Sequence, residues 1–219
     1  MTTQKIVKAR RFMSTFFATT AIACFAYAAL AILLMHVLRP DYTPASHMIS
    51  DYAVGRYGWV MTTAFLALSY GNLMLLLGLA RVGPSSVIAR VGTLLLGVAC
   101  IGLVVTAIFP TDLEEAPSTH TGNIHTMSFL VNVGSTILAV VLLSVSFGSD
   151  PRWHTYRRTA LTMVAVVVIA FVLQFLTLHR GAPYGLANRF FVAMLLAWLL
   201  TTSIRLRVLA RDRASEAKP

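Results

Sequence analysis

Charged residues are scarce in this sequence, and their scarcity excludes an ordinary water-soluble domain. Asp, Glu, Lys and Arg make up 12% of the 219 residues, whereas 57% are hydrophobic and the mean hydropathy is +0.74. Soluble globular domains carry about 25% charged residues. A water-soluble core of this length does not need so much apolar surface, so the bilayer is the expected solvent.

Cysteine is also rare. Cys24 and Cys100 both lie inside apolar runs, so we expect no disulfide framework and no CxxC redox or metal motif. The net charge of +10 does not indicate nucleic-acid binding. The basic residues cluster between apolar segments, as topology signals do, and form no patch with interleaved aromatics.

The apolar runs lack carboxylates and lysine in their interiors, which argues against a coupled proton or ion transporter. The polar residues that they do contain include Asn72, Asn132 and Gln174. We expect these three amides to form hydrogen bonds between helices.

Six apolar runs predict six transmembrane helices. They cover residues 14–38, 58–80, 90–109, 126–147, 158–178 and 190–206. Each is close to or above the roughly 17–25 residues that a helix needs to cross hydrocarbon, and strand alternation is absent. The predicted fold class is all-α: a polytopic membrane protein with one six-helix bundle at 14–206. A basic N-terminus (1–13) and a basic tail (207–219) flank the bundle.

The distribution of Lys and Arg predicts that both termini are cytoplasmic. With the N-terminus inside, the outer segments hold four basic residues, Arg39, Arg56, Arg180 and Arg189. The inner segments hold Lys5, Lys8, Arg10, Arg11, Arg81, Arg90, Arg152, Arg157, Arg158, Arg205, Arg207, Arg211, Arg213 and Lys218. This asymmetry is the positive-inside bias of membrane proteins. We therefore expect a multi-pass protein of the cell (inner) membrane, in contact with membrane lipids.

Polar residues suited to chemistry gather in the three predicted outer loops. They are His47, Ser50, Asp51, Asp112, His120, His125, His179 and Arg189. In the first loop, a short helix capped by Ser46 would place His47, Ser50 and Asp51 on one face. His47 would then ligate a metal or act as a base that the other two orient. The alternative is that a His–Asp hydrogen bond merely anchors the loop.

The second outer loop carries Asp112, His120 and His125. The two histidines are five residues apart, which is not the HExxH spacing of a helical zinc site. Gly122 would nevertheless permit a turn that brings both imidazoles to one point. Imidazole and carboxylate ligands suit zinc or another first-row divalent ion. The alternative is a polar helix start whose side chains satisfy loop backbone groups.

Arg189 opens the last predicted span. Its guanidinium would pair with Asp51 or Asp112, or bind a phosphate head group. The alternative is an arginine that extends to the membrane interface.

Four short motifs stand beside the predicted spans. They are His47–Asp51 after the first span, Phe109–Asp112 after the third, Gly122–His125 at the fourth and Gly185–Arg189 before the sixth. In this order, over about residues 14–206, the chain resembles the DUF998 family of six-span prokaryotic membrane proteins. The resemblance implies a six-span fold and a shared outer site, and supplies no activity.

A looser analogy is to membrane hydrolases of the alkaline ceramidase and adiponectin-receptor type. Those enzymes use Ser, Asp and three His around an intramembrane zinc. The residue types are similar, but the HxxxH spacing and the seven-span layout are not.

Two functions stay open at this point. The first is a metal-dependent hydrolase of a lipid or lipid-linked substrate at the outer leaflet, with zinc as the favoured ion and a metal-bound water. Its metal ligands would be His47, Asp112, His120 and His125. Ser50 and Asp51 would orient a ligand, and Arg189 would hold an anionic head group. The second is a non-catalytic bundle that binds a lipid or assists a partner membrane protein, with the polar cluster as a hydrogen-bonded lid. Small-molecule transport ranks third.

Overall fold

The computed structural model describes residues 3–114, 116–179 and 181–212, with side chains from Phe12 onward. All regular structure in these residues is helical. The long helices are α1 (Thr3–Leu38), α2 (Gly58–Val82), α3 (Val87–Ile108), α4 (His120–Ser146), α5 (Pro151–Leu176) and α6 (Tyr184–Asp212). Short 3₁₀ turns occur at Ile49–Ala53 and Phe147–Ser149.

All six helices are long and apolar enough to cross a membrane, which confirms the predicted all-α polytopic fold. The predicted boundaries differ at the polar ends. α4 begins at residue 120 rather than 126, α5 at 151 rather than 158, and α6 at 184 rather than 190. The C-terminal end of α6 also extends beyond residue 206, to Asp212. Hydropathy marks only the hydrocarbon-spanning part, whereas capping side chains let the helices continue into polar sequence.

Two of these caps start α4 and α5. The side chain of Thr119 accepts a hydrogen bond from the Gly122 amide at 3.0 Å and starts α4. Asp150 accepts from the Arg152 amide at 2.9 Å, and Pro151 occupies the first turn of α5, where its missing N–H costs nothing. As a result His120 is a helical residue and not a loop residue, and His125 lies in the second turn of α4.

The helices form a closed ring in which each packs against the next and α6 returns to α1, while α2 also touches α6. Because successive helices alternate in direction, the described residues of the loops at 39–57, 109–119 and 177–183 lie at one end of the bundle. We call this the predicted outer end.

The α3–α4 contact is close and contains polar groups. A Cβ added to Gly102 would lie 2.6 Å from Cβ of Asn132, so only glycine permits this approach. The Asn132 amide donates to Thr106 Oγ1 at 3.3 Å, and the Thr106 and Ser128 hydroxyls are 2.9 Å apart. Asn132 is therefore confirmed as an interhelical hydrogen-bonding residue.

The other two amides predicted to link helices behave differently. Asn72 Oδ1 and both amide atoms of Gln174 are buried, and they have no hydrogen-bond partner among the residues that the structure describes. Unpaired buried polar atoms are uncommon and require an explanation. For Asn72, the cavity described below supplies one.

Candidate site at the predicted outer end

Arg189 ties the first outer loop to α6. Its Nη1 donates to the carbonyl oxygens of Pro44 at 2.9 Å and His47 at 2.5 Å, and to that of Gly185 at 3.0 Å. Nε donates to Nε2 of His36 on α1 at 2.8 Å, and Nη2 donates to the Tyr52 hydroxyl at 3.0 Å. One guanidinium thus joins α1, α6 and the loop between α1 and α2.

Gly185 and Asn188 complete this junction. The Gly185 amide donates to the Ala45 carbonyl at 2.8 Å, and the Ile49 amide donates to Asn188 Oδ1 at 3.0 Å. A Cβ on Gly185 would come closer than 3.0 Å to three loop carbonyl oxygens, those of Pro44, Ala45 and His47. The segment Gly185–Arg189 is therefore the docking surface for the first outer loop.

Arg39 closes the same loop on itself. Its guanidinium donates to the Val54 carbonyl at 2.6 Å and to the Arg56 carbonyl at 3.2 Å. It also pairs with Asp41 at 2.8 Å and lies 3.9 Å from the centre of the Tyr42 ring. This pairing raises the pKa of Arg39 and lowers that of the exposed Asp41. We call the loop, residues 39–57, the outer lid.

Asp112 in the second loop organises the start of α4. Its carboxylate accepts from the Thr119 amide at 2.7 Å and from the Thr119 hydroxyl at 2.8 Å. A Cβ on Gly122 would overlap that carboxylate, so the glycine makes room for the cap. A carboxylate beside a helix N-terminus is also favoured by the helix dipole. Asp112 and Gly122 therefore work as one structural unit.

His125 lies one turn deeper and is buried, with 3% of its surface exposed. Its Nδ1 lies 2.7 Å from the carbonyl oxygen of Phe109 at the end of α3, so Nδ1 carries the proton and donates. In the neutral ring Nε2 is then left as an acceptor. The sequence motifs Phe109–Asp112 and Gly122–His125 meet through these contacts.

Glu114 connects the second loop to α6, because the Tyr184 hydroxyl donates to its carboxylate. The first and second outer loops therefore both attach to the N-terminal end of α6, which follows the third loop directly. The three outer loops therefore converge at the N-terminal end of α6.

A cavity of about 90 Å³ lies in the bundle beneath the outer lid. Ile49 and Ser50 of the lid line its roof, and α1, α2, α3, α4 and α6 line the remainder. The wall is mostly apolar. Its polar members are Ser50, Asn72, Thr106, His125, Asn132, Thr136 and Asn188, and no charged side chain is among the described residues that line it.

The predicted site residues occupy separate positions around this cavity. Ser50 and His125 line it. Asp51 accepts from the Met48 amide at 2.8 Å and caps the 3₁₀ turn. The His47 ring stacks on Tyr42, with 4.4 Å between centroids.

His120 and His179 are exposed, at the start of α4 and in the third loop. Among the described residues, no three His, Cys, Asp or Glu side chains gather as a metal-binding group. The zinc site thus stays a prediction.

Sequence reasoning gave no site role to several residues that build this region, namely His36, Arg39, Tyr52, Glu114, Tyr184 and Asn188. A signal for Asn188 and Gly185 was present, since both belong to the motif that ends in Arg189. Their role was hidden because their partners are backbone groups of a loop 139 and 140 positions away, which no local pattern reveals.

Burial raises the pKa of Asp51 to about 6. The hydrogen bond from Met48 and the charges of His47 and Arg189 act in the opposite direction, and Glu114 adds to the increase. Asp51 therefore changes charge in a range where other carboxylates are already ionised.

The chain matches the model of a family described as "Protein of unknown function (DUF998)" over residues 14–205. No curated protein matches the chain, and no solved structure matches it.

Replacing Gly185 by Ala is expected to lower the melting temperature of the detergent-purified protein. The added methyl meets three backbone carbonyls that cannot move aside independently, and such overpacking costs about 1–3 kcal/mol. Differential scanning fluorimetry measures the shift. Gly134→Ala is the matched control, since a Cβ there has nothing within 4 Å. Equal melting temperatures for the two variants would contradict the docking role of Gly185.

Stability is expected to decrease as pH rises through the range from about 4 to 6, because of Asp51. Its pKa is about 6 in the folded chain against 3.8 as the ordinary value, so the folded state holds the proton more tightly. The resulting loss approaches about 3 kcal/mol above pH 6, at about 1.4 kcal/mol per pKa unit. Asp51→Asn keeps the acceptor for Met48 and removes the titration.

Melting curves in a neutral detergent at pH 4 and pH 7 test this. Asp51→Asn should show a smaller difference between the two pH values than the parent protein. Asp41→Asn, an exposed acid in the same loop, should not reduce it. A pH dependence that survives Asp51→Asn intact rules out this assignment.

Proposed function

Since the chain belongs to the DUF998 family and has six helices that can span a membrane, we propose that it binds a lipid in the cavity beneath the outer lid. The observation that carries the proposal is the cavity itself: a largely apolar space inside the bundle, with a few neutral polar groups on its wall. Ligand sites are commonly concave and apolar, with a small number of placed polar groups.

Position favours a lipid over a water-soluble ligand. The cavity is bounded by transmembrane helices and covered by Ile49 and Ser50 of the lid, which Arg189 and Asn188 hold in place. At about 90 Å³ it is smaller than the ~150 Å³ apolar cavity that accommodates benzene. It therefore suits one end of a lipid and not a whole molecule.

The contacts of the outer polar residues support a binding role more than a catalytic one. Arg189 is engaged with three carbonyls, His36 and Tyr52, and Asp112 is engaged with Thr119. These side chains hold the lid and the start of α4. Their removal is expected to cost stability first.

A metal-dependent hydrolase is the second candidate, and the orientation of His125 favours it. Metal-ligating histidines commonly donate the other ring N–H to a carbonyl or carboxylate, as His125 does to Phe109. Among the described residues the predicted ligands do not gather into one group, and His47 stacks on Tyr42 while Asp112 caps α4. We therefore derive no catalytic step.

Filling the cavity is expected to displace the bound lipid. Val133 lines the cavity and is 6% exposed, so Val133→Phe reduces the available volume. Lipids that co-purify in mild detergent are quantified by mass spectrometry after gel filtration. The parent protein should retain a lipid at near-stoichiometric amount, and Val133→Phe should retain several-fold less.

Val145→Phe, on the same helix and 42% exposed, is the control and should retain the parent amount. Leu196→Phe provides a second cavity variant from α6 if Val133→Phe is unstable. An unchanged lipid profile in a folded cavity variant would contradict the proposal.

Metal content separates the two candidates. If His125 anchors an ion, protein purified without chelators should contain near-stoichiometric zinc or another transition metal, and His125→Gln should lose it. His154→Gln, an exposed histidine at the opposite end of the bundle, should keep it. Inductively coupled plasma mass spectrometry gives the content. Metal-free parent protein would remove the hydrolase candidate.

A further inference from the structure

We propose that the cavity recognises the hydroxyl-bearing end of a neutral lipid, an inference that rests on the proposed lipid-binding function. It concerns the lipid group that contacts the cavity wall. It follows from the hydrogen-bonding atoms of the wall that have no partner among the described residues.

The wall disfavours an anionic end group. Lys and Arg are absent from the described residues that line the cavity. Arg189 follows the lining residue Asn188 in the sequence, and its guanidinium already donates to the Pro44, His47 and Gly185 carbonyls. A phosphate or carboxylate pushed below the lid would lose its hydration without gaining a counter-charge, which is strongly unfavourable.

The open polar atoms of the wall include acceptors that need a donor from a ligand. His125 donates Nδ1–H to Phe109, so its Nε2 accepts. Asn132 uses its Nδ2 hydrogens on Thr106 and on the Ser128 carbonyl, so the atom it can offer is Oδ1. His125 and Asn132 are seven residues apart on α4 and thus face the same side.

Asn72 contributes an amide from α2, on another side of the cavity. It is 2% exposed, and its Oδ1 has no partner among the described residues. A ligand that donates a hydrogen bond would supply what the protein leaves open. Asn72 therefore adds a buried polar side chain from α2 to the cavity wall.

A hydroxyl fits this set better than an ether or ester oxygen does. A hydroxyl donates one hydrogen bond, to His125, Asn132 or Asn72, and can accept another from an amide N–H. An ether or ester oxygen only accepts, so it could pair with an amide N–H but would leave these acceptors unpaired. The apolar remainder of the wall suits the hydrocarbon next to the hydroxyl.

The test uses delipidated protein in a neutral detergent and deuterated 1-hexadecanol as the probe. Retained probe is measured by mass spectrometry after gel filtration, in competition with unlabelled 1-hexadecanol, hexadecyl methyl ether, hexadecanoate and 1-butanol. We expect 1-hexadecanol to compete about ten-fold better than the methyl ether, because a ten-fold ratio corresponds to the free energy of about one neutral hydrogen bond. Hexadecanoate at pH 8 and 1-butanol should compete still more weakly.

A variant locates the recognition. Asn72→Leu should reduce the preference for alcohol over ether towards unity. Gln174→Leu is the matched control, because Gln174 is also a buried amide without a partner among the described residues but does not line the cavity. It should keep the parent preference. The ligand series on the parent protein remains decisive even if Asn72→Leu does not fold.

The outcomes distinguish this inference from the proposed function. Equal competition by alcohol and ether overturns hydroxyl recognition but leaves lipid binding standing. A preference that survives Asn72→Leu overturns the assignment of Asn72 to that recognition. Equal competition by hexadecanoate contradicts the preference for a neutral end group. Equal competition by 1-butanol contradicts the recognition of a lipid. Failure to retain the probe, together with no co-purifying lipid, overturns the proposed function itself.

Discussion

The structure of the outer end of this bundle depends on the hydrogen bonds that the guanidinium of Arg189 makes. Arg189 carries a charge at the rim of a membrane-spanning helix, where leaving its N–H groups unpaired would be costly. It binds backbone carbonyls of Pro44 and His47 and the His36 ring, so satisfying the charge also fixes the lid between α1 and α2. Because Gly185 lacks a side chain, the loop approaches α6 closely enough for these bonds to form.

This junction separates residues that hold the structure from residues that face the cavity. Two carboxylates in the lid and the second loop accept hydrogen bonds from backbone amides: Asp51 from Met48, and Asp112 from Thr119. The neutral polar groups below the lid, His125 and Asn72, retain atoms that a ligand can meet. The sequence concentrates its reactive side chains in the loops. The polar groups that a ligand can contact therefore lie deeper, inside the bundle.

The sequence predicts the fold well and the site only partly, for physical reasons. Six runs of apolar residues reveal six spans because hydrocarbon imposes a minimum helix length. The starts of α4 and α6 are missed because Thr119 and the segment beginning at Tyr184 extend helices into polar sequence. The alternation of spans correctly places the four motifs at one end. For Arg189, however, sequence offers candidate partners by charge, such as Asp51 or Asp112. Its observed hydrogen-bond acceptors are mostly carbonyls, which every residue carries and no motif marks.

The same reasoning explains why binding and stability should be linked in this protein. A buried amide without a partner, such as that of Asn72, lowers the stability of the empty bundle by about 1–3 kcal/mol relative to a paired one. A ligand that pairs with it binds the folded chain and not the unfolded chain, so its binding free energy adds to folding stability. Because Ser50 of the lid and Asn188, which holds the lid, both line the same cavity, an occupant also contacts the groups that close it. Occupancy of the cavity and order of the lid are therefore expected to rise together, without any change in the contacts that Arg189 makes.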